Sequence, residues 1–145
     1  ADNPELLAQF QTFVDKNSDS SYALLAAFVA AKEAVAKEDY AVAAKQLNWV
    51  VTTAKQPEIK ALAQLRLARV QNEQKDYAAA LATLALAVPE AFKAQQQELT
   101  GDVLLNSGEL AKAKTAYQAA VAATKDAQNP LLKVKLDELA HVTAA

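Results

Sequence analysis

At 145 residues the chain is long enough to bury roughly 68–70 % of its unfolded surface and so to form an independent core, while a formal net charge of −2 argues against phosphate-backbone neutralisation and hence against nucleic acid as a partner. One histidine and no cysteine leave no histidine/cysteine metal site, and two glycines cannot build a phosphate-cradling loop, so no cofactor is implied. The missing cysteine permits an oxidising compartment without requiring one.

Taken in chain order, Leu6, Leu7, Phe10, Phe13 and Val14 place a first helix over 4–16. Further helices are expected near 20–37, 39–55, 57–75, 77–88, 90–107, 109–124 and 130–142, and the prolines at 4, 57, 89 and 130 read as helix starts. Trp49, late in the helix over 39–55 beside Val50 and Val51, is expected to pack between units, the alternative being an exposed partner anchor. In the last helix Leu132, Leu136 and Leu139 share one stripe and read as an end cap, with Leu131 and Val142 off the stripe as a second apolar edge for a membrane-protein partner or a second copy. No Gly/Ser linker divides the chain. The expectation is one domain over 1–145: an N-terminal capping helix in 1–18, three helical hairpins in 19–125 and a C-terminal capping helix in 129–143. No apolar run reaches the ~18 residues of a membrane span, and no signal-peptide pattern opens the chain. It holds no methionine, so its start at Ala1 reads as a cut, made by processing or by design, with something upstream missing.

A repeat organises these helices. Ala31, Asp39, Tyr40 and Ala43 recur in spacing as Ala68, Asp76, Tyr77 and Ala80, and again as Gly101, Glu109, Leu110 and Ala113. Each set continues with a large residue sixteen positions on (Leu47, Leu84, Tyr117) and a smaller apolar one at nineteen (Val50, Ala87, Ala120). The offsets of 37 and 33 residues bracket the ~34-residue period of tetratricopeptide helix-turn-helix units. Two antiparallel helices approach closely only where side chains are small. Ala31 facing Ala43, Ala68 facing Ala80 and Gly101 facing Ala113 supply those crossings. The turns Glu38-Asp39-Tyr40, Lys75-Asp76-Tyr77 and Gly108-Glu109-Leu110 set an acid at the start of each second helix, where it complements the helix dipole. The predicted fold is an all-α, tetratricopeptide-like solenoid of about three hairpins with a flanking helix at each end.

The runs Tyr22-Ala-Leu-Leu-Ala-Ala, Leu65-Arg-Leu-Ala-Arg-Val-Gln71, Gly101-Asp-Val-Leu-Leu-Asn-Ser-Gly-Glu109 and Leu132-Lys-Val-Lys-Leu-Asp-Glu-Leu139 resemble the YfgM family over about Leu7 to Val142. The resemblance implies a periplasmic domain on the bacterial inner membrane, preceded by a short cytoplasmic tail and one transmembrane helix. It further implies association with Sec translocon subunits and a membrane-anchored periplasmic chaperone, assisting secretory clients as they emerge.

Stacked hairpins make a concave surface that usually binds something. The outward positions of the first helices form ladders across units: Phe28, Leu65 and Glu98; Val29, Arg66 and Leu99; Lys32, Arg69 and Asp102; Val35, Asn72 and Leu105. The chain's two arginines, Arg66 and Arg69, share the middle helix, and arginine can grip a carboxylate by two parallel hydrogen bonds or stack on an aromatic group. A groove of Phe28, Lys32, Leu65, Arg66, Arg69, Asn72 and Asp102 therefore suits a peptide with apolar and acidic side chains. The structural alternative is that Arg69 pairs with Asp102 one unit along while Arg66 lies beside a neighbouring helix. The lysine/asparagine clamp by which related repeats hold a C-terminal carboxylate is not expected, because Phe28 and Glu98 stand where it needs basic or amide groups. No serine shows a nucleophile elbow, and Glu33, Glu38, Asp39, Asp137 and Glu138 read as solvated acids. The function expected is a non-enzymatic protein-interaction module; the alternatives are an envelope-assembly scaffold that binds no clients, and an enzyme using Asp102 and neighbouring acids.

Overall fold

Three hairpin turns share one backbone device. After each first helix the chain takes a single left-handed residue, Glu38 (φ 58°), Lys75 (φ 61°) or Gly108 (φ 87°). The next amide then reaches back five residues: Asp39 N to Ala34 O at 2.8 Å, Asp76 N to Gln71 O at 2.9 Å and Glu109 N to Leu104 O at 2.9 Å. This is the hydrogen-bond pattern of a Schellman C-cap, which satisfies carbonyls that the helix end would orphan. The acid that follows begins the second helix at once. Asp39 accepts from Val42 N at 3.3 Å and Asp76 from Ala79 N at 3.2 Å, whereas Glu109, one methylene longer, makes no such cap.

The computed structural model describes residues 21–124 and 129–143, together with residues 8, 9 and 12. Its helices are α1 (Ser21–Ala36), α2 (Tyr40–Thr53), α3 (Pro57–Glu73), α4 (Tyr77–Leu84), α5 (Lys93–Asn106), α6 (Leu110–Ala123) and α7 (Pro130–Glu138), with a 3-10 turn, Glu90–Phe92, leading into α5. No strand occurs among the described residues. Each helix packs on the next, α3 also meets α5, and α1, α3 and α5 share one face of the array. This is the all-α helical-hairpin solenoid predicted by the repeat. Among the described residues no helix is long and apolar enough to cross a membrane. The capping helix expected over 1–18 lies outside the described residues, apart from 8, 9 and 12, which are helical.

The core runs as three clusters, one per hairpin. Ala31, Ala43, Leu47 and Val50 anchor the first, which extends to Leu67 and Val70 of α3 and has Trp49 packed against it. Leu65, Ala68, Ala80, Leu84, Leu99 and Val103 form the second. Ala113, Tyr117 and Ala120 meet Leu132 and Leu139 in the third, with Leu136 at its edge, so α7 closes the array by its leucine stripe. Burying each such leucine stabilises by about 1.5–3 kcal/mol relative to leaving it exposed.

Two helices end earlier than the periodicity predicts. The helix expected to reach residue 88 stops at Leu84, and Ala87 at the nineteenth repeat position is exposed. Gln96 of α5 donates to Leu84 O at 2.7 Å and to Leu86 O at 2.9 Å, so a side chain satisfies carbonyls that a further helical turn would have used. Pro89 accordingly precedes a 3-10 turn rather than the first turn of an α-helix, while Pro57 and Pro130 do start helices. The helix expected to run to 142 stops at Glu138, and Lys114 of α6 donates to Val142 O at 2.7 Å and to Ala140 O at 3.4 Å, taking up the tail carbonyls.

Candidate functional site

The first-helix face encloses a groove of about 690 Å³ between α1, α3 and α5. Helical spacing creates its walls: Phe28 and Lys32 lie one turn apart on α1, and Arg66, Arg69 and Glu73 follow at three- and four-residue steps on α3. The floor is apolar, with Leu47, Val70 and Leu99 reaching up from the core. Tyr40, the first residue of α2, closes one end beside Val35. Its phenol is held above the ordinary tyrosine range by burial first, then by the charges of Glu38 and Glu73.

Arg66 is fixed by an aromatic partner. Its guanidinium carbon lies 5.2 Å from the Phe28 ring centroid, which ties α3 to α1 through a cation–π contact. This is the side-by-side packing that the structural alternative foresaw for Arg66. Arg69 behaves otherwise: Asp102 pairs not with Arg69 but with Lys135 of α7, at 3.0 Å, and accepts from the Tyr117 hydroxyl at 2.7 Å. Among the described residues Lys32, Arg66 and Arg69 make no ion pair, and all three are exposed. Three cations therefore ring an apolar floor.

Most of the predicted groove residues converge. Phe28, Lys32, Arg66, Arg69, Asn72 and Asp102 all line the cavity. Leu65 does not. It is 2 % exposed and sits in the second core cluster, on the side of α3 covered by Ala80 and Leu84 of α4 and by Leu99 and Val103 of α5. Leu99, read as a ladder position, serves both as groove floor and as core, whereas Leu105 is exposed and outside the cavity. Asn72 accepts from Asn106 Nδ2 at 3.1 Å, a bond that spans 34 residues, one repeat, and fixes the far ends of α3 and α5 together.

Of the residues assigned to repeat packing, Ala31, Ala43, Ala68, Ala80, Gly101 and Ala113 are buried, and Tyr40 and Tyr77 half-buried. Leu110 is 40 % exposed, so the third unit opens its second helix without the apolar anchor that the two tyrosines provide. His141 is exposed, and among the described residues no group of three histidine, cysteine or acidic side chains is placed to hold a metal ion.

Sequence reasoning missed Glu73 and Lys135, and read Tyr40 for repeat packing without its place at the groove. Glu73 was accessible to it, since it stands four residues after Arg69 on the same helical face. Lys135 was not. Its Nζ lies 2.8 Å from Glu98 Oε2, a pairing 37 residues long that follows only from how α7 folds back on α5. Burial alone would lower the ammonium's pKa, but the hydrogen bonds and charges of Glu98 and Asp102 outweigh it and hold the group above the ordinary lysine range. Tyr117 beside it is driven well above the ordinary phenol range, by burial first, then by its bond to Asp102 and the charges of Asp102 and Glu98.

Comparison with known proteins agrees with this architecture. The profile of the tetratricopeptide repeat-like domain family matches residues 1–141. The chain is 31 % identical over 132 residues to an ancillary SecYEG translocon subunit of Haemophilus influenzae, covering 91 % of this chain and 65 % of that protein. It is 30 % identical over 131 residues to the subunit of that name from Aggregatibacter actinomycetemcomitans, covering 90 % and 64 %, and 31 % identical over 137 residues to that of Escherichia coli K12, covering 94 % and 66 %. It thus spans a little under two thirds of the length of these relatives. They are the relatives to which the YfgM-family resemblance points. No solved structure matches the chain significantly.

Proposed function

The chain belongs to the tetratricopeptide repeat-like domain family, and from that premise we propose that it works as a single protein-interaction module, engaging a partner reversibly in the groove between α1, α3 and α5 without covalent chemistry. The observation that carries this reading is the set of three cations, Lys32, Arg66 and Arg69, none ion-paired among the described residues, around an apolar floor of Leu47, Val70 and Leu99. Such a surface suits a protein segment that alternates acidic and apolar or aromatic side chains. Arg69 is free to grip a carboxylate, and Phe28 with Tyr40 offers aromatic contact area.

The names of the relatives support a setting for this module. Those relatives are ancillary subunits of the SecYEG translocon, and we propose that this module works at the bacterial inner membrane, on the periplasmic side, beside translocon subunits and a membrane-anchored chaperone, receiving secretory chains as they emerge. The test is a photo-crosslinking residue at position 69 in the membrane-anchored protein in its native envelope. Capture of translocon subunits, a periplasmic chaperone or nascent secretory chains is the expected result. Capture from α7 with none from position 69 would move the function away from the groove.

A further inference from the structure

The α5 wall carries two carboxylates, Glu98 and Asp102, one helical turn apart and therefore on one face. Asp102 lines the groove itself. Left bare, Asp102 with Glu98 one turn behind it would set an acidic pole at the groove's α5 edge, opposite its basic one, and a partner's lysine or arginine would dock there. The chain fills the place from within. Lys135 of α7 sets its ammonium 2.8 Å from Glu98 Oε2 and 3.0 Å from Asp102 Oδ1, with side-chain exposures of 22 %, 19 % and 30 % for the lysine, the glutamate and the aspartate. Asn129, the N-cap of α7, donates to Glu98 Oε1 at 2.8 Å, and the Tyr117 hydroxyl donates to Asp102 Oδ1 at 2.7 Å. Both carboxylates are thereby occupied by donors of the chain's own.

The geometry points to Lys135 as the residue that sets the groove's specificity: by acting as a built-in cationic ligand of Glu98 and Asp102, it leaves the open groove basic and selects an acidic partner segment over a basic one. This rests on the groove being the binding site, as proposed above. With Lys135 in place, Lys32, Arg66 and Arg69 face Glu73 and an aspartate already matched. Without it, Asp102 joins Glu73 as an unmatched acid of the lining, with Glu98 one turn along α5 behind it, and the groove's positive excess shrinks. Complementary charge favours one class of partner, and juxtaposed like charges reject the other.

Two fluorescein-labelled peptides of equal length, one alternating Asp and Phe and one alternating Lys and Phe, titrated by anisotropy at low salt, give the readout as a ratio of affinities. The whole chain should prefer the acidic peptide by about tenfold or more, the span of one well-placed charge interaction. Lys135→Met should lower that ratio several-fold, and the triple variant Lys135→Met/Glu98→Gln/Asp102→Asn should restore it. The double variant Glu98→Gln/Asp102→Asn, which keeps the lysine and leaves no unpaired buried carboxylate, should raise the ratio above wild type, and it carries the test if Lys135→Met fails to fold. A purely structural role for Lys135 would weaken both peptides alike. Unchanged ratios in Lys135→Met and in the double variant, with binding intact, would overturn the assignment and leave the groove reading standing. No binding of either peptide to any form would bring down the groove reading, and this inference with it.

Discussion

Gly101 and Tyr117 are matched in size across the third hairpin: the tyrosine ring fills the space that a β-carbon on residue 101 would need. Such a carbon would lie 2.5 Å from Tyr117 Cδ1 and 2.9 Å from Cζ, and closer still to Cε1. The corresponding pairs in the earlier units are Ala31 with Leu47 and Ala68 with Leu84. The third unit has enlarged one member of the pair and reduced the other.

Gly101→Ala should therefore destabilise the fold although alanine is the better helix former. Overpacking a well-filled site costs about 1–3 kcal/mol, against a helix-propensity gain of about 1 kcal/mol. The net expected loss is up to about 2 kcal/mol, read from urea unfolding. Tyr117→Leu recreates the Ala/Leu pairing of the other units while giving up the hydrogen bond to Asp102, so Gly101→Ala should cost much less in that background than in wild type. Strict additivity of the two single changes would refute the size match.

The turns make a second prediction. Glu38 and Lys75 hold left-handed backbone with a side chain attached, and Gly108 holds it without one. A non-glycine residue in that region costs about 1–2 kcal/mol. Lys75→Gly should raise stability by about 0.5–1 kcal/mol, the strain relieved less the added chain entropy. Gly108→Ala should lower it by about 1 kcal/mol, purely through the backbone, since a β-carbon there would meet nothing within 4 Å. Thermal melts of the two variants should shift in opposite directions.

What was legible in the sequence follows from what is local. The turn acids, the small residues at 31, 68 and 101 and the prolines at 57 and 130 each act within one hairpin, so spacing alone places them. Lys32, Arg66 and Arg69 reach the groove because consecutive first helices stack in register. Leu65 goes astray for a tertiary reason, the covering of its side of α3 by α4 and α5. The ends of α4 and α7 are set by side chains of other helices, Gln96 and Lys114, taking their carbonyls, and no helix periodicity encodes that. Lys135 belongs to the same class: a cap helix reads as apolar closure, and its one inward cation becomes visible only when α7 is laid against α5.

Gln96 should accordingly control a local stability. Removing it by Gln96→Ala strands the carbonyls of Leu84 and Leu86 at the end of α4, the shortest of the described α-helices. Leaving a partly buried acceptor unpaired costs about 1–3 kcal/mol. Hydrogen exchange should quicken in α4 and in the 85–92 connection before it does in α1–α2. Equal acceleration throughout would show that the bond supports only global stability.

The contact of Lys135 and Tyr117 with the carboxylates of Glu98 and Asp102 makes the fold sensitive to alkali. Tyr117 and Lys135 both have folded-state values raised above their ordinary 10.0 and 10.5. As pH climbs past about 10, the unfolded chain surrenders these two protons while the native state keeps them. The native state then binds more protons than the unfolded one, so unfolding free energy falls with rising pH. The stabilisation is whole below pH 10 and is lost progressively above it. Tyr117→Phe and Lys135→Met should each flatten that decline, measured as urea midpoints between pH 8 and 11. Some slope should survive in the double variant, because Tyr40 is also raised, by burial and then by Glu38 and Glu73. A decline as steep in the double variant as in wild type would show that the α5–α7 contact does not hold these protons.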